Sequence, residues 1–145
     1  MPFPRVFLDA NVLFAAAWTP DGLSALLIEL GRARRIELLS SNQAVIEAKR
    51  NLEAKKPAAL SRIAEFLERI VVGSEPDPQA IRRITPAELS AKDRPLLAAA
   101  IAAGATHFVT GDRRDFGPWM TQKAALPIRI LTPRQFFDEV EPPAG

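Results

Sequence analysis

Residues 7–13 read Phe7-Leu8-Asp9-Ala10-Asn11-Val12-Leu13, an apolar run that ends on a carboxylate, adds a second polar residue and then resumes its apolar pattern. Arg5 to Leu8 reads as a buried strand and Asn11 to Trp18 as a short helix. Asp9 therefore stands where a strand hands over to a helix. Either it caps that helix, or it is held at the edge of a sheet because something cationic binds it.

Working outward, short apolar runs alternate with segments of helical period. Leu23, Leu26, Leu27 and Leu30 form one helical stripe after the turn signal Thr19-Pro20-Asp21-Gly22. Ile36 to Leu39 is a second strand. Ser41 can cap a helix through about Leu52, and Pro57 opens another whose predicted buried face is Leu60, Ile63, Ala64 and Leu67. Ile70 to Val72 is a third strand. Gly73 to Glu88, with three prolines, reads as a loop with a brief helical turn. Asp93 precedes an alanine-rich helix to Ala103, stopped by Gly104 in the position that favours a left-handed residue. His107 to Val109 is a fourth strand, Thr110 to Pro118 a polar loop, and Ile128 to Leu131 a fifth strand. Thr132-Pro133 starts a last helix, Arg134 to Val140.

Strands separated by helices predict an α/β fold, a parallel sheet with helices on both faces. One domain over residues 1–141 is expected, with 142–145 as a loose tail. At 145 residues a single core suffices, since a chain of this size buries roughly 68–70% of its unfolded surface.

In such a sheet, ligands bind beyond the carboxyl ends of the strands where the strand order reverses. Asp9 ends the first strand, and Asp112 lies just past the fourth. Glu47 sits on the helix after the second strand, among Ala44, Ala48 and Asn51 at helical spacing, and Asp93 begins the helix leading to the fourth strand. Each acid alone has an ordinary explanation: Asp9 and Asp93 as helix caps, Glu47 as a solvated surface residue, Asp112 as a turn residue. Their joint placement on one sheet edge is what points to chemistry. Clustered carboxylates repel and resist desolvation, so a cluster persists only if protons or cations neutralise it. Mg²⁺ takes oxygen ligands and is usually held by one or two carboxylates plus substrate phosphate.

Composition narrows the field further. The chain is 48% hydrophobic and 25% charged, an ordinary globular balance. It has no cysteine and one histidine, which excludes disulfides and thiol catalysis and disfavours zinc. The pI of about 9.4 rests on a net charge of only +2, so it is weak evidence for a polyanion partner. The start does not read as a signal peptide and no run suits a membrane span, so a cytoplasmic protein is expected.

Three segments together carry a resemblance. FLDANVL (7–13), LLSSNQAVIEAKRNL (38–52) and DRPLLAAAIAAGATHFVTGD (93–112) resemble, in order and over nearly the whole chain, the opening, the segment with the helical Glu and the second half of PIN-domain proteins. That resemblance implies a three-layer α/β/α fold with about five parallel strands. It also implies a Mg²⁺- or Mn²⁺-dependent ribonuclease, similar to the VapC-type toxins that a partner antitoxin inhibits. Asp9, Glu47, Asp93 and Asp112 would form the acidic site, with Asp9, Asp93 and Asp112 on the metal and Asp115 adding a further oxygen. Asn11 and Thr110 would support the first acid or a water. Lys49, Arg50, Lys92, Arg94, Arg113 and Arg114 are the candidate RNA contacts. An exposed part of the Leu23–Leu30 stripe would serve a homodimer. Arg113, Arg114 and Phe116 depart from the family pattern and predict a bulkier, more basic loop after Asp112.

Trp18 and Trp119 could stack on bases, but core or interface packing is expected for both, and a structural role for His107. Two rivals share part of the pattern. Phosphohydrolases of the haloacid dehalogenase type also end the first strand on an Asp, but their second Asp is here Asn11, which removes the general acid. A non-catalytic RNA- or protein-binding module would keep the fold, and retention of all four acids argues against it.

Overall fold

Strand β1 (Arg5–Leu8) is apolar on both faces, and Val6, Phe7 and Leu8 are all fully buried. A strand of that kind belongs in the middle of a parallel sheet covered on both sides. The computed structural model, which describes residues 3–122 and 125–140, places it there. β1 pairs in parallel with β2 (Glu37–Ser41) on one side and β4 (His107–Val109) on the other. β3 (Ile70–Gly73) lies outside β2, and β5 (Arg129–Leu131) outside β4. The sheet order is β3-β2-β1-β4-β5. Strand order therefore reverses between β1 and β4, and that is where Asp9 sits.

Eight α-helices among the described residues complete a three-layer α/β/α fold. Helix α1 (Ala10–Trp18) packs against α2 (Leu23–Arg32), α3 (Asn42–Lys55) and α4 (Leu60–Leu67). Helix α5 (Pro78–Ile84) packs against α6 (Arg94–Ala102), which lies on β2. Helix α7 (Arg113–Thr121) packs on β5, and α8 (Pro133–Glu139) meets α2. All of these helices except α5, which has no buried residue, contribute to one hydrophobic core. No single helix among the described residues is long and apolar enough to cross a membrane.

Two glycines allow close approaches. Gly104 has φ +74° after α6, and a Cβ there would lie 2.7 Å from Nη1 of Arg5, which donates to the carbonyls of Ala103 and Gly104. At Gly31 a Cβ would clash with the Leu38 side chain, so α2 can lie on β2 only without a side chain at that point.

The structure corrects several sequence expectations. Thr110 to Pro118 is not all loop, because α7 starts at Arg113 and runs through Gly117 and Pro118. The Asp112 side chain caps it by accepting from the Asp115 backbone N–H at 3.0 Å. Phe116 anchors it beneath, fully buried and 4.9 Å from the Phe108 ring, which itself stacks on Phe7 at 5.3 Å. Phe116 thus adds core rather than loop bulk. On α4 the buried residues are Ile63 and Phe66, while Ala64 is exposed. The turn expected within Gly73–Glu88 is the two-turn helix α5, capped by Asp77 with Pro78 in its first turn. Of the leucine stripe, only Leu26 is exposed. The expected tail, 142–145, lies outside the described residues.

Truncating a fully buried aromatic ring costs about 3–5 kcal/mol. Phe116→Ala is therefore expected to lower unfolding free energy in a urea titration by about that amount. A loss under about 1 kcal/mol would mean that the ring does not hold α7 to the sheet.

Candidate active site

Asp9 closes β1: its N–H still donates to the Val109 carbonyl at 3.0 Å, while its own carbonyl accepts from Val12 and Leu13 to begin α1. The residue is 3% exposed. Oδ1 accepts from the Ala10 N–H at 2.7 Å, and Oδ2 accepts from the Thr110 hydroxyl at 2.8 Å and the Asn11 amide at 3.1 Å. A helix cap would instead bind the second or third N–H of the helix. Burial pushes the carboxyl up to about 6, helped by the nearby charge of Glu47 and opposed by those three donors.

Asn11 and Thr110 weld the ends of β1 and β4 together. The Asn11 carbonyl oxygen accepts from the Gly111 N–H at 2.7 Å, and its amide donates to Thr110 Oγ1 at 3.3 Å. Thr110 Oγ1 also accepts from the Asp112 N–H at 3.0 Å. With its side chain so engaged, Asn11 cannot replace the general acid of a dehalogenase-type phosphohydrolase.

Asp93 stands at the N-cap position of α6 but makes no capping bond. Its Oδ2 accepts from the Ser90 hydroxyl at 2.6 Å, and the residue is 4% exposed. The carboxyl is pushed up to about 6, chiefly by burial and then by Asp115 beside it, against the Ser90 hydrogen bond. One carboxylate oxygen from each of Asp93, Asp112 and Asp115 lies within 4.8 Å of the others. Asp115, expected only as a supporting oxygen, thus belongs to the tightest acidic group among the described residues, and Asp9 stands beside that group.

Asp9, Glu47, Asp93 and Asp112 all line one cleft of about 210 Å³. Glu47 reaches it from α3, over the buried Ala44 and Ala48, and pairs with Lys92 Nζ at 3.1 Å. Lys92 is raised above its ordinary pKa by that hydrogen bond and the Glu47 charge.

The candidate RNA contacts divide. Arg94 is spent on structure: Nε donates to Thr85 Oγ1 at 2.9 Å and Nη2 to the Arg82 carbonyl at 3.3 Å, tying α5 to α6. Lys49 is exposed, and Arg50 borders a hollow shared with Glu47 and Lys92. Arg113 and Arg114 border separate hollows, because successive helical residues diverge. Sequence reasoning missed Lys55, which also lines the cleft, together with Phe14. The spacing of Glu47, Asn51 and Lys55, four residues apart on one helix, carried the signal. His107 lies at the start of β4, hydrogen-bonded through Nδ1 to Thr106 Oγ1 at 2.6 Å and edge-on to Phe136, a structural place.

An all-oxygen acidic set fits a hard dication. Asp9 and Asp93 each have an oxygen anchored by a neighbour, and Asp112 Oδ1 is anchored by the Asp115 N–H. Such bonds fix carboxylates for ligation.

With this geometry, a PIN domain family model matches residues 5–114. The chain belongs to the PIN domain family. None of the curated proteins matches it. Among solved structures, the fold is similar to that of VapBC2 from Rickettsia felis bound to a promoter DNA fragment, at TM-score 0.66 and 15% identity over 88% of this chain and 98% of that one. It is similar to PAE2754 from Pyrobaculum aerophilum, at TM-score 0.63 and 20% identity over 93% and 88%. It is similar also to VapC20 of Mycobacterium tuberculosis, described as a sarcin-ricin loop cleaving toxin, at TM-score 0.57 and 14% identity over 79% and 95%.

Asp93 holds its proton more tightly folded than unfolded, so its ionisation costs stability. That cost is absent below about pH 4 and complete above about pH 6. Asp93→Asn removes it. In chelator at neutral pH the variant is expected to melt about 3–5 °C above wild type, the equivalent of roughly 1 kcal/mol. The gap should close as pH falls from 6 to 4. A gap that ignores pH would show that the carboxylate bears no such cost.

Proposed function

We propose that the chain is a metal-dependent endoribonuclease acting in the cytoplasm as the toxin of a toxin–antitoxin pair. The observation that carries this reading is the convergence of Asp9, Glu47, Asp93 and Asp112, from four separate parts of the chain, on one cleft at the sheet's switch point. Family membership supports it, as does likeness in fold to VapC20, described as a toxin, and to VapBC2 on promoter DNA. An RNA substrate, an antitoxin partner and a homodimer using the face around the exposed Leu26 are parts of the same reading.

Asp93, Asp112 and Asp115 would hold Mg²⁺ or Mn²⁺, with Asp9 beside them. Bound there, the dication supplies a Lewis acid for a phosphodiester and acidifies a water. The protein's own groups do the rest. Asp9 Oδ2 accepts from two donors, whereas Oδ1 accepts from one and keeps acceptor capacity in a residue that lines the cleft, suited to orienting a water. Glu47 holds Lys92 at the lip, where its ammonium meets a phosphate. Lys55 adds a second cation to the lining. No histidine is needed, since carboxylates can orient the attacking water.

The test is incubation with a pool of structured and single-stranded RNAs in Mn²⁺, Mg²⁺ or chelator. Cleavage is expected only with metal. Asp9→Asn and Asp112→Asn are expected to reduce it at least about 100-fold while circular dichroism stays native. Metal-independent cutting, or wild-type rates in both variants, would refute the assignment.

A further inference from the structure

We propose that the hollow walled by Trp119 is a nucleobase subsite, in which an unpaired base of the substrate stacks on the indole beside the acidic centre. The inference rests on the ribonuclease reading and adds how the RNA is gripped. The hollow has a volume of about 570 Å³, within the range that holds small ligands. It adjoins the acid trio directly: Asp115 belongs to both, and Ser90, which fixes Asp93 at 2.6 Å, lines the hollow too. The cleft holding Glu47 and Lys92 opens from the other members of the centre, Asp9, Asp93 and Asp112. A phosphate at the acids therefore has room for its neighbouring nucleoside on the Asp115 side.

The lining suits that occupant. Trp119 is half-buried and packed on the core, so its ring is a fixed wall that stacking need not order. Pro118 extends the apolar surface, and as a helical proline it leaves the carbonyl of Arg114 without the usual bond from four residues on. The exposed Arg114 guanidinium sits at the rim for a phosphate. Glu88, also exposed, offers only acceptors, which suit the two donors on the Watson–Crick edge of guanine and reject uracil's flanking carbonyls. Stacking on an aromatic wall is a general device for single strands and is absent for a base held in a duplex.

Trp119 is one of two tryptophans, so Asp9→Asn/Trp18→Phe protein reports on it alone while holding RNA uncut. In Mg²⁺, a short single-stranded RNA containing guanine is expected to quench its fluorescence, and an all-uracil strand to do so only at several-fold higher concentration. In otherwise wild-type protein, Trp119→Leu is expected to raise KM for single-stranded RNA roughly 5- to 150-fold with kcat little changed. Trp119→Phe should restore most of the loss, and Glu88→Gln should shrink the preference for guanine. Active cleavage with no quenching and an unchanged KM in Trp119→Leu would overturn the subsite and leave the nuclease standing. Quenching by RNA that wild-type protein never cuts would uphold the subsite and overturn the ribonuclease reading.

Discussion

Burying a carboxylate at the seam between β1 and β4 is the constraint around which the molecule is arranged. Asp9 is 3% exposed, and desolvation alone would favour its neutral form. Three donors from Ala10, Asn11 and Thr110 hold it in place. Thr110 arrives from 101 residues away in the chain, so the arrangement exists only after β4 has inserted beside β1. The site is therefore a product of the sheet's topology, and any ion that binds it also stabilises the fold.

Capping and chemistry looked like alternatives for Asp9 and Asp93, and a turn for Asp112, yet it is Asp112 that combines a cap with a place in the acidic group, while the other two make no conventional cap bond. Asp112 gives Oδ1 to the α7 cap and keeps its second oxygen. Asp93 occupies a cap position but gives its oxygen to Ser90, leaving the first turn of α6 to start with Arg94 and Pro95. Asp9 bonds only its immediate neighbour's N–H at that end. A cap bond costs a carboxylate one lone pair of about four, so a helix start can position an acid without consuming it.

The strands and the acids were legible because their signals are local. β1 and β4 read as unbroken apolar runs, Gly104 marks its own left-handed turn, and Asp9 breaks a pattern that a core strand would keep. What escaped depends on tertiary context. Gly117-Pro118 looks like a break, but α7 is held by Phe116 in the core and by the Asp112 cap at its start. Asp115 entered the acidic group because that helix turns it back toward Asp93, which a loop would not do. Arg94 read as a free cation, and its engagement with Thr85 and Arg82 depends on how α5 packs on α6. Pairings across elements leave no trace in spacing.

The charge of the cleft runs against that of the whole chain. The net charge of +2 is nearly neutral, but the cleft presents four carboxylates against the two ammonium groups of Lys55 and Lys92. Lys92 is exposed and already shared with the half-buried Glu47, and an ion pair with one partner in solvent contributes little. Rim cations act over about one Debye length, roughly 8 Å at physiological salt, so they can draw a phosphate to the lip but cannot reverse the field deeper in. A phosphodiester entering the cleft therefore meets net repulsion from the protein alone. Neutralisation has to come either from protons, which Asp9 and Asp93 take up near pH 6, or from a dication, which works at any pH where the acids are ionised. Under the proposed function the second operates at neutral pH, where those acids are ionised.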